Sequence, residues 1–288
     1  MSYEQLGHEV EGLTREALEV IVDARREGDI VVTQEENPFV RGGKSPTTPA
    51  DLRAQRVYTD AFAALTPSYP VVAEEKDPNR RPTWVVDGID GTTRFVDNAP
   101  FGYGTQCALI EDGKVPIAYV GDATTGEIFG YHGDSGVFRI NKDGQRTLIS
   151  DVARPTPLRE HAGMRRPTID LYHPLSQRLL LSGDVGEVQE LVGGIGTTMA
   201  QLLTDKIGLF ALRPHHERPW DAVPAYALCE AADMVFMTPS PSGAGFEEWQ
   251  PPYLDTTYLR TFDLLVMHRT RVEEFMGAVA LHASSNGQ

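Results

Sequence analysis

The chain has 288 residues and 41% hydrophobic content, enough to bury a substantial core as one large domain or two closely packed ones. Its formal net charge of −15 argues against a nucleic-acid polymer as partner, because backbone binding needs clustered Lys and Arg. Its two cysteines, Cys107 and Cys229, argue against a disulfide framework and fit a reducing cytoplasm. No apolar run approaches the ~20 residues of a membrane span, and the first residues lack the basic and apolar regions of a secretory signal.

Leu6, Val10, Leu13, Ala17, Val20, Ile21 and Ala24 recur near helical spacing, and Gly28 suits the position after the last turn. Residues 30–33 read as a short strand and 34–46 as a polar loop with Gly and Pro. Thr48 followed by Pro49 predicts a capped helix to about Leu65, with Asp51 in its first turn facing back toward that loop. Two apolar strands follow: residues 69–73 end in Glu74-Glu75, and Trp84 to Val86 lead into Asp87 and Asp90. Residues 101–110 and 115–121 predict a hairpin closed by Glu111-Asp112-Gly113-Lys114, and residues 127–131 and 136–140 continue the meander. Farther on, residues 188–195 suggest a strand entering the glycine-rich segment 193–198, before a helix over 198–204. Those glycines permit close approach to a ligand or form a packing turn between strand and helix. Residues 221–232 keep helical spacing, with Pro224 expected in the first turn. The stretch from about 151 to 192 carries no readable signature.

Asp87-Gly88-Ile89-Asp90-Gly91-Thr92-Thr93 is the most informative segment. A strand delivers two carboxylates in D-x-x-D spacing, and a glycine and two hydroxyl residues follow where the chain must turn. Carboxylates are ligands for hard Mg²⁺, and free N–H groups at a turn leading into a helix suit a phosphate oxyanion. Metal-assisted phosphoryl chemistry is the functional reading; a plain surface turn, in which Asp caps and Gly supplies positive φ, is the bland one. Glu74 at another strand end and Asp221 at a helix start favour the first, because such positions converge at one edge of an α/β sheet.

Four segments together resemble the inositol monophosphatase family of Mg²⁺-dependent, lithium-sensitive phosphatases. They are Thr48-Pro49-Ala50-Asp51, Ala73-Glu74-Glu75, Asp87 through Phe95, and Trp220-Asp221-Ala222-Val223 followed by Glu230-Ala231-Ala232-Asp233. The resemblance implies an α/β fold, a layered α-β-α-β-α sandwich of the inositol monophosphatase and sugar phosphatase type. Residues 1–150 would form a half carrying the metal and phosphate site, and 151–288 a half carrying the substrate pocket and Asp221. It also implies that Glu74, Asp87 and the Ile89 carbonyl hold one Mg²⁺, that Asp87, Asp90 and Asp221 hold a second, and that a third, weaker ion sits near Glu74. Thr92, supported by Asp51, would orient the attacking water, and Gly91, Thr92 and Thr93 would receive the phosphate. Gly196 and Thr197 fall in the family's substrate pocket. The family often forms homodimers.

Departures from the pattern bear on the substrate, a small phosphorylated metabolite. The Glu that inositol-specific members place seven residues before the W-D aspartate is Pro214 here, flanked by Arg213 and His215. A loop with Arg213, His215, His216 and Arg218 suits a second anionic group, as on a sugar bisphosphate or a 3′-phosphonucleotide. A structural zinc at His215 and His216 is the less favoured reading. Residues 102–109 are similar to histidinol-phosphate phosphatases of the same superfamily. Gly88 replaces the family's Pro, which would loosen the turn, and Arg94 replaces its Asn. A non-catalytic binding protein on the same fold is the alternative of another class.

Overall fold

The computed structural model describes residues 1–36, 44–73, 83–149, 158, 163–165, 188–190, 193–212, 216–242, 245–253, 258–259 and 262–284. Helix α1 (Tyr3–Glu27) opens with a reciprocal cap between Ser2 and Gln5 and closes at Gly28 in the left-handed region, φ 71°. A short hairpin follows, β1 (Thr33–Glu36) against β2 (Lys44–Thr47). Helix α2 (Pro49–Leu65) starts at the Thr48 cap with Pro49 at its first position, as its sequence dictates.

Among the described residues, one sheet runs in the order β3-β4-β5-β6-β7-β8-β9. Its strands are β3 (Val71–Ala73), β4 (Trp84–Asp90), β5 (Gly104–Glu111), β6 (Lys114–Asp122), β7 (Glu127–His132), β8 (Phe138–Ile140) and β9 (Arg146–Leu148), with the short helix α3 (Thr92–Val96) after β4. β3 and β4 are parallel, and the rest is an antiparallel meander. Asp112 and Gly113, both at positive φ (51° and 77°), make the tight β5–β6 turn; such a pair matches the right-handed twist of the strands it joins.

The second sheet runs β11-β10-β12-β17-β14-β15 among the described residues. It comprises β10 (Gly163–Arg165), β11 (Val188–Glu190), β12 (Leu209–Leu212), β14 (Met234–Pro239), β15 (Phe246–Trp249) and β17 (Leu264–His268). A separate pair joins β13 (His216–Glu217) to β16 (Tyr258–Leu259). The remaining helices are α4 (Ile195–Leu203), α5 (Pro219–Ala231) and α6 (Val272–Ser284).

Strand alternation sorts the core into layers. Trp84, Val86, Cys107, Leu109, Ile117 and Tyr119 pack beneath α1 and α2. Their neighbours Val85, Ala108, Ala118 and Val120 face the other way, onto α4 and α5, which also cover Phe210, Leu212 and Phe236 of the second sheet. The far face of that sheet, with Leu209, Ala211, Val235 and Met267, packs on Phe275 and Val279 of α6. Helix pair, sheet, helix pair, sheet, helix: the expected α-β-α-β-α order is the one observed.

Several expectations need correction. The strand placed at 30–33 lies at β1, and the loop expected over 34–46 contains parts of both β1 and β2. Of the strand expected over 188–195, residues 191–192 lie outside the described residues, Val188–Glu190 are strand, and α4 begins at Ile195, three residues before the expected helix start. Helix α5 begins at Pro219, so Pro224 lies inside it and not in its first turn, where its missing N–H removes one bond of the ladder.

Candidate active site

The C-terminal end of β4 carries Asp87, 2% exposed, and Asp90, 6% exposed. Asp87 follows Val85 by two residues, so its side chain faces the α4–α5 layer. The Asp87 carbonyl accepts from the Thr105 hydroxyl at 2.9 Å. Both oxygens of Asp90 are engaged by the start of α4: Oδ1 accepts from Ile195 N at 3.1 Å and Oδ2 from Gly196 N at 2.7 Å. A Cβ on Gly194 would lie 2.3 Å from Asp90 Oδ2, so glycine is required for this approach. The glycine-rich segment therefore clasps a carboxylate of the distant strand.

Past Asp90 the chain turns at Gly91, φ 86°, whose missing Cβ leaves room for the Gly102 carbonyl and Gly194 N–H. Gly194 N donates to Gly102 O at 2.9 Å, so the loops at 91, 102 and 194 meet here. Thr92 is buried, and its hydroxyl lies 3.0 Å from Asp51 Oδ1 and 2.9 Å from the Ile89 carbonyl. Asp51 Oδ2 accepts from Thr48 N at 2.8 Å and from the Thr48 hydroxyl. Asp51 was expected to face the preceding loop; it turns instead onto its own helix cap and Thr92. Burial raises the Asp51 pKa above the ordinary carboxylate range, against the lowering effect of hydrogen bonds from Thr48 and Thr92.

Gly88 does not loosen the turn. A Cβ there would come within 2.4 Å of the Asp51 carbonyl, so the missing side chain allows α2 to press against β4. Thr93 is exposed beside Thr92. Arg94 lies over the Phe101 ring at 4.9 Å and donates from Nε to Phe101 O at 3.3 Å. Thr197 is buried and its hydroxyl donates to Gly194 O at 3.2 Å, within its own first turn.

Asp221 stands in the first turn of α5, where the helix dipole favours an acid. Its N–H donates to Arg218 O at 3.0 Å, and its carbonyl accepts from Gln106 Nε2 at 3.1 Å. Gln106 was not singled out in the sequence, although one glutamine in the small and apolar run from Tyr103 to Ile110 is a visible anomaly. Of the remaining expected site residues, Glu74, Arg213 and His215 lie outside the described residues. His216 lies in β13, and Arg218 has its guanidinium 5.5 Å from the Trp220 ring.

Among the described residues, no three His, Cys, Asp or Glu side chains gather into a group that could hold a metal ion. The candidate donors are oxygens throughout: the carboxylates of Asp87 and Asp90 and the carbonyl of Ile89 on one strand end, and Asp221 in the first turn of α5. Each carboxylate offers about four lone-pair positions, so Asp90 can keep both N–H donors and still face a cation. Two acids buried three residues apart are an arrangement that a hard divalent ion compensates. The residues present thus fit Mg²⁺.

Comparisons with known proteins bear on the family and the fold. The pattern described as the inositol monophosphatase family matches residues 3–271. A histidinol-phosphatase of Chlorobaculum parvum is 25% identical over 202 residues, 67% of this chain and 73% of that protein. The 3′(2′),5′-bisphosphate nucleotidase CysQ of Shigella flexneri is 29% identical over 257 residues, 83% of this chain and 93% of that one. The solved structure of a Thermotoga maritima IMPase superposes with TM-score 0.70 at 20% identity, covering 99% of this chain and 100% of that one.

Proposed function

Since the chain belongs to the inositol monophosphatase family and is a phosphoric monoester hydrolase of that metal-dependent class, we propose that it hydrolyses a small phosphorylated metabolite at the β4–α3 turn. Residues 1–150 supply Glu74, Asp87, the Ile89 carbonyl, Asp90, Thr92 and Asp51, and residues 151–288 supply Asp221 and the substrate pocket. In this reading Glu74, Asp87 and Ile89 O would hold one Mg²⁺, Asp87, Asp90 and Asp221 would hold a second, and Glu74 would hold a weaker third. When bound, such ions lower the pKa of water and clamp the attacking and leaving oxygens of an in-line displacement.

The chain's own groups do the rest. Gly91, Thr92 and Thr93 present the turn that receives the phosphate. The Thr92 hydroxyl, held between Asp51 and Ile89 O, orients the attacking water, and Asp51 is the acceptor at the end of that short chain of hydrogen bonds. No covalent nucleophile is needed. The observation that carries the reading is this pairing of the buried Asp87–Asp90 strand end with the Thr92–Asp51 contact.

A second reading concerns the substrate. Arg213, His215, His216 and Arg218 form a cationic run where inositol-specific members have a Glu, and the CysQ relative covers most of the chain. Both favour a substrate with a second phosphate, such as a bisphosphorylated nucleotide; Gly196 and Thr197 would line that pocket.

The test is phosphate release, with and without Mg²⁺, from inositol phosphates, sugar mono- and bisphosphates, histidinol phosphate and 3′-phosphonucleotides. Mg²⁺-dependent release that falls by more than about a hundredfold in Asp87→Asn is expected, on the scale of losing transition-state electrostatics. Release independent of Mg²⁺ and of Asp87 would overturn the site. Absence of release from the whole panel would favour the non-catalytic binding protein.

A further inference from the structure

Gln106 stands among three elements of the proposed metal site: β4, the start of α4 and the start of α5. It is fully buried (0% exposed) and pairs directly with Asp87 across the β4–β5 ladder, so the two side chains share the face that looks onto α4 and α5. Its Nε2 donates to the main-chain carbonyl of Asp221 at 3.1 Å. That contact fixes the amide's orientation, since a carbonyl takes only a donor. Oε1 then faces the α4 turn that clasps Asp90: a Cβ on Gly196 would lie 2.5 Å from Gln106 Oε1 and 3.1 Å from Asp90 Oδ2. Oε1 accepts no hydrogen bond among the described residues.

A buried amide oxygen without a donor costs stability, and an apolar residue of the same size would avoid the cost. The fold does not require a glutamine here; Ala108 and Ile110 fill the same face of the same strand with carbon. What glutamine adds is a bond from β5, the strand paired with Asp87, to the residue that brings the third carboxylate. We propose that Gln106 is a positioning residue: it ties the first turn of α5 to β5 and so sets where the Asp221 carboxylate stands relative to Asp87 and Asp90. This rests on the metal-dependent reading above. Groups that orient metal ligands commonly change affinity by about ten- to a hundredfold when removed.

The test is calorimetric titration of Mg²⁺ into metal-free wild type, Gln106→Met, Asp221→Ala and the double variant, with thermal unfolding of each metal-free protein. Methionine keeps the volume and removes both polar atoms. Gln106→Met should bind Mg²⁺ about ten- to a hundredfold more weakly while its metal-free Tm is equal to or above that of wild type. In the Asp221→Ala background the same change should have no further effect on affinity, a coupling that a merely structural role would not produce. Unchanged Mg²⁺ affinity in folded Gln106→Met, or a loss that adds to that of Asp221→Ala, would overturn the inference. Should Gln106→Met not fold, Gln106→Asn keeps the amide one methylene short of Asp221 and must show the same weakening. A wild-type chain that takes up no Mg²⁺ would overturn the metal reading itself, and is told apart by that first titration.

Discussion

The Thr92 hydroxyl has one hydrogen and two oxygen neighbours, Asp51 Oδ1 and the Ile89 carbonyl. With Asp51 ionised, the carboxylate is the stronger acceptor; with Asp51 protonated, it becomes a donor to Thr92 and the hydroxyl turns to Ile89 O. The two states leave Thr92 oriented differently toward an incoming water. Burial raises the Asp51 pKa, so as pH falls the working, ionised state is lost earlier than for an exposed Asp of pKa about 3.9. The acid limb of kcat/KM should therefore lie above the ordinary aspartate range. Asp51→Asn should remove that limb and lower kcat by about 10²–10⁴, the usual yield of positioned acid–base groups. A pH–rate series on the two proteins checks this, and an unchanged limb in Asp51→Asn would dismiss the assignment. The acids of this site were readable from sequence because their types and spacing announce oxygen-ligand chemistry. Gln106 was not, because its role depends on which strand lies beside β4.

Elements whose ends are set by neighbouring residues were legible: the Thr48–Pro49 start of α2, the Gly28 end of α1, and the Asp112–Gly113 turn. The start of α4 was not. Its first N–H groups are met by Asp90, more than a hundred residues earlier in the chain, and Gly194 in the cap position has no side chain to do so. A local rule looks for Ser, Thr, Asp or Asn at the cap and finds Thr197 and Thr198 instead, hence the late expected start. Asp90 consequently holds the helix as well as facing the proposed metal site. In Asp90→Asn an NH₂ replaces one acceptor opposite a buried N–H, a change worth about 1–2 kcal/mol. The metal-free variant should melt about 2–4 °C lower, as expected for a large domain, in addition to losing activity. The Ile195 and Gly196 N–H groups go to Asp90, so Asp87→Asn leaves that helix start intact and should lose activity with a smaller shift in Tm. Differential thermal unfolding of the two proteins without Mg²⁺ decides it, and equal melting points would reject the capping role.

At the scale of the whole molecule, two pH-sensitive groups rest on different sets of contacts. The acid-rich site opens toward the α4–α5 layer, whereas α1 covers the opposite face of the first sheet. There His132 of β7 is buried so closely under α1 that a Cβ on Gly7 would lie 2.3 Å from its ring. The Tyr119 hydroxyl donates its one hydrogen to Gly7 O at 2.8 Å, so at its 2.8 Å contact with His132 Nδ1 the ring must be the donor. A neutral imidazole with its proton on Nδ1 satisfies that network. Burial lowers the His132 pKa below its ordinary 6.5, the His8 and Arg146 charges lower it further, and Glu11 and Glu4 oppose them. Below about pH 6.5 the unfolded chain therefore binds a proton that the folded chain refuses, and stability present at neutral pH is lost as pH falls. The loss is about 1.4 kcal/mol for each unit by which the folded pKa is depressed. Urea midpoints measured from pH 7.5 down to pH 5 should fall in wild type and fall less steeply in His132→Gln, which cannot titrate. A parallel fall in both would place the acid sensitivity elsewhere. Because His132 is held by Tyr119 and α1 whereas Asp51 is held by Thr48 and Thr92, His132→Gln should leave the acid limb of kcat/KM in place while flattening the stability curve. Asp51→Asn should do the reverse, so acid loss of activity and acid loss of structure are separable properties of this chain.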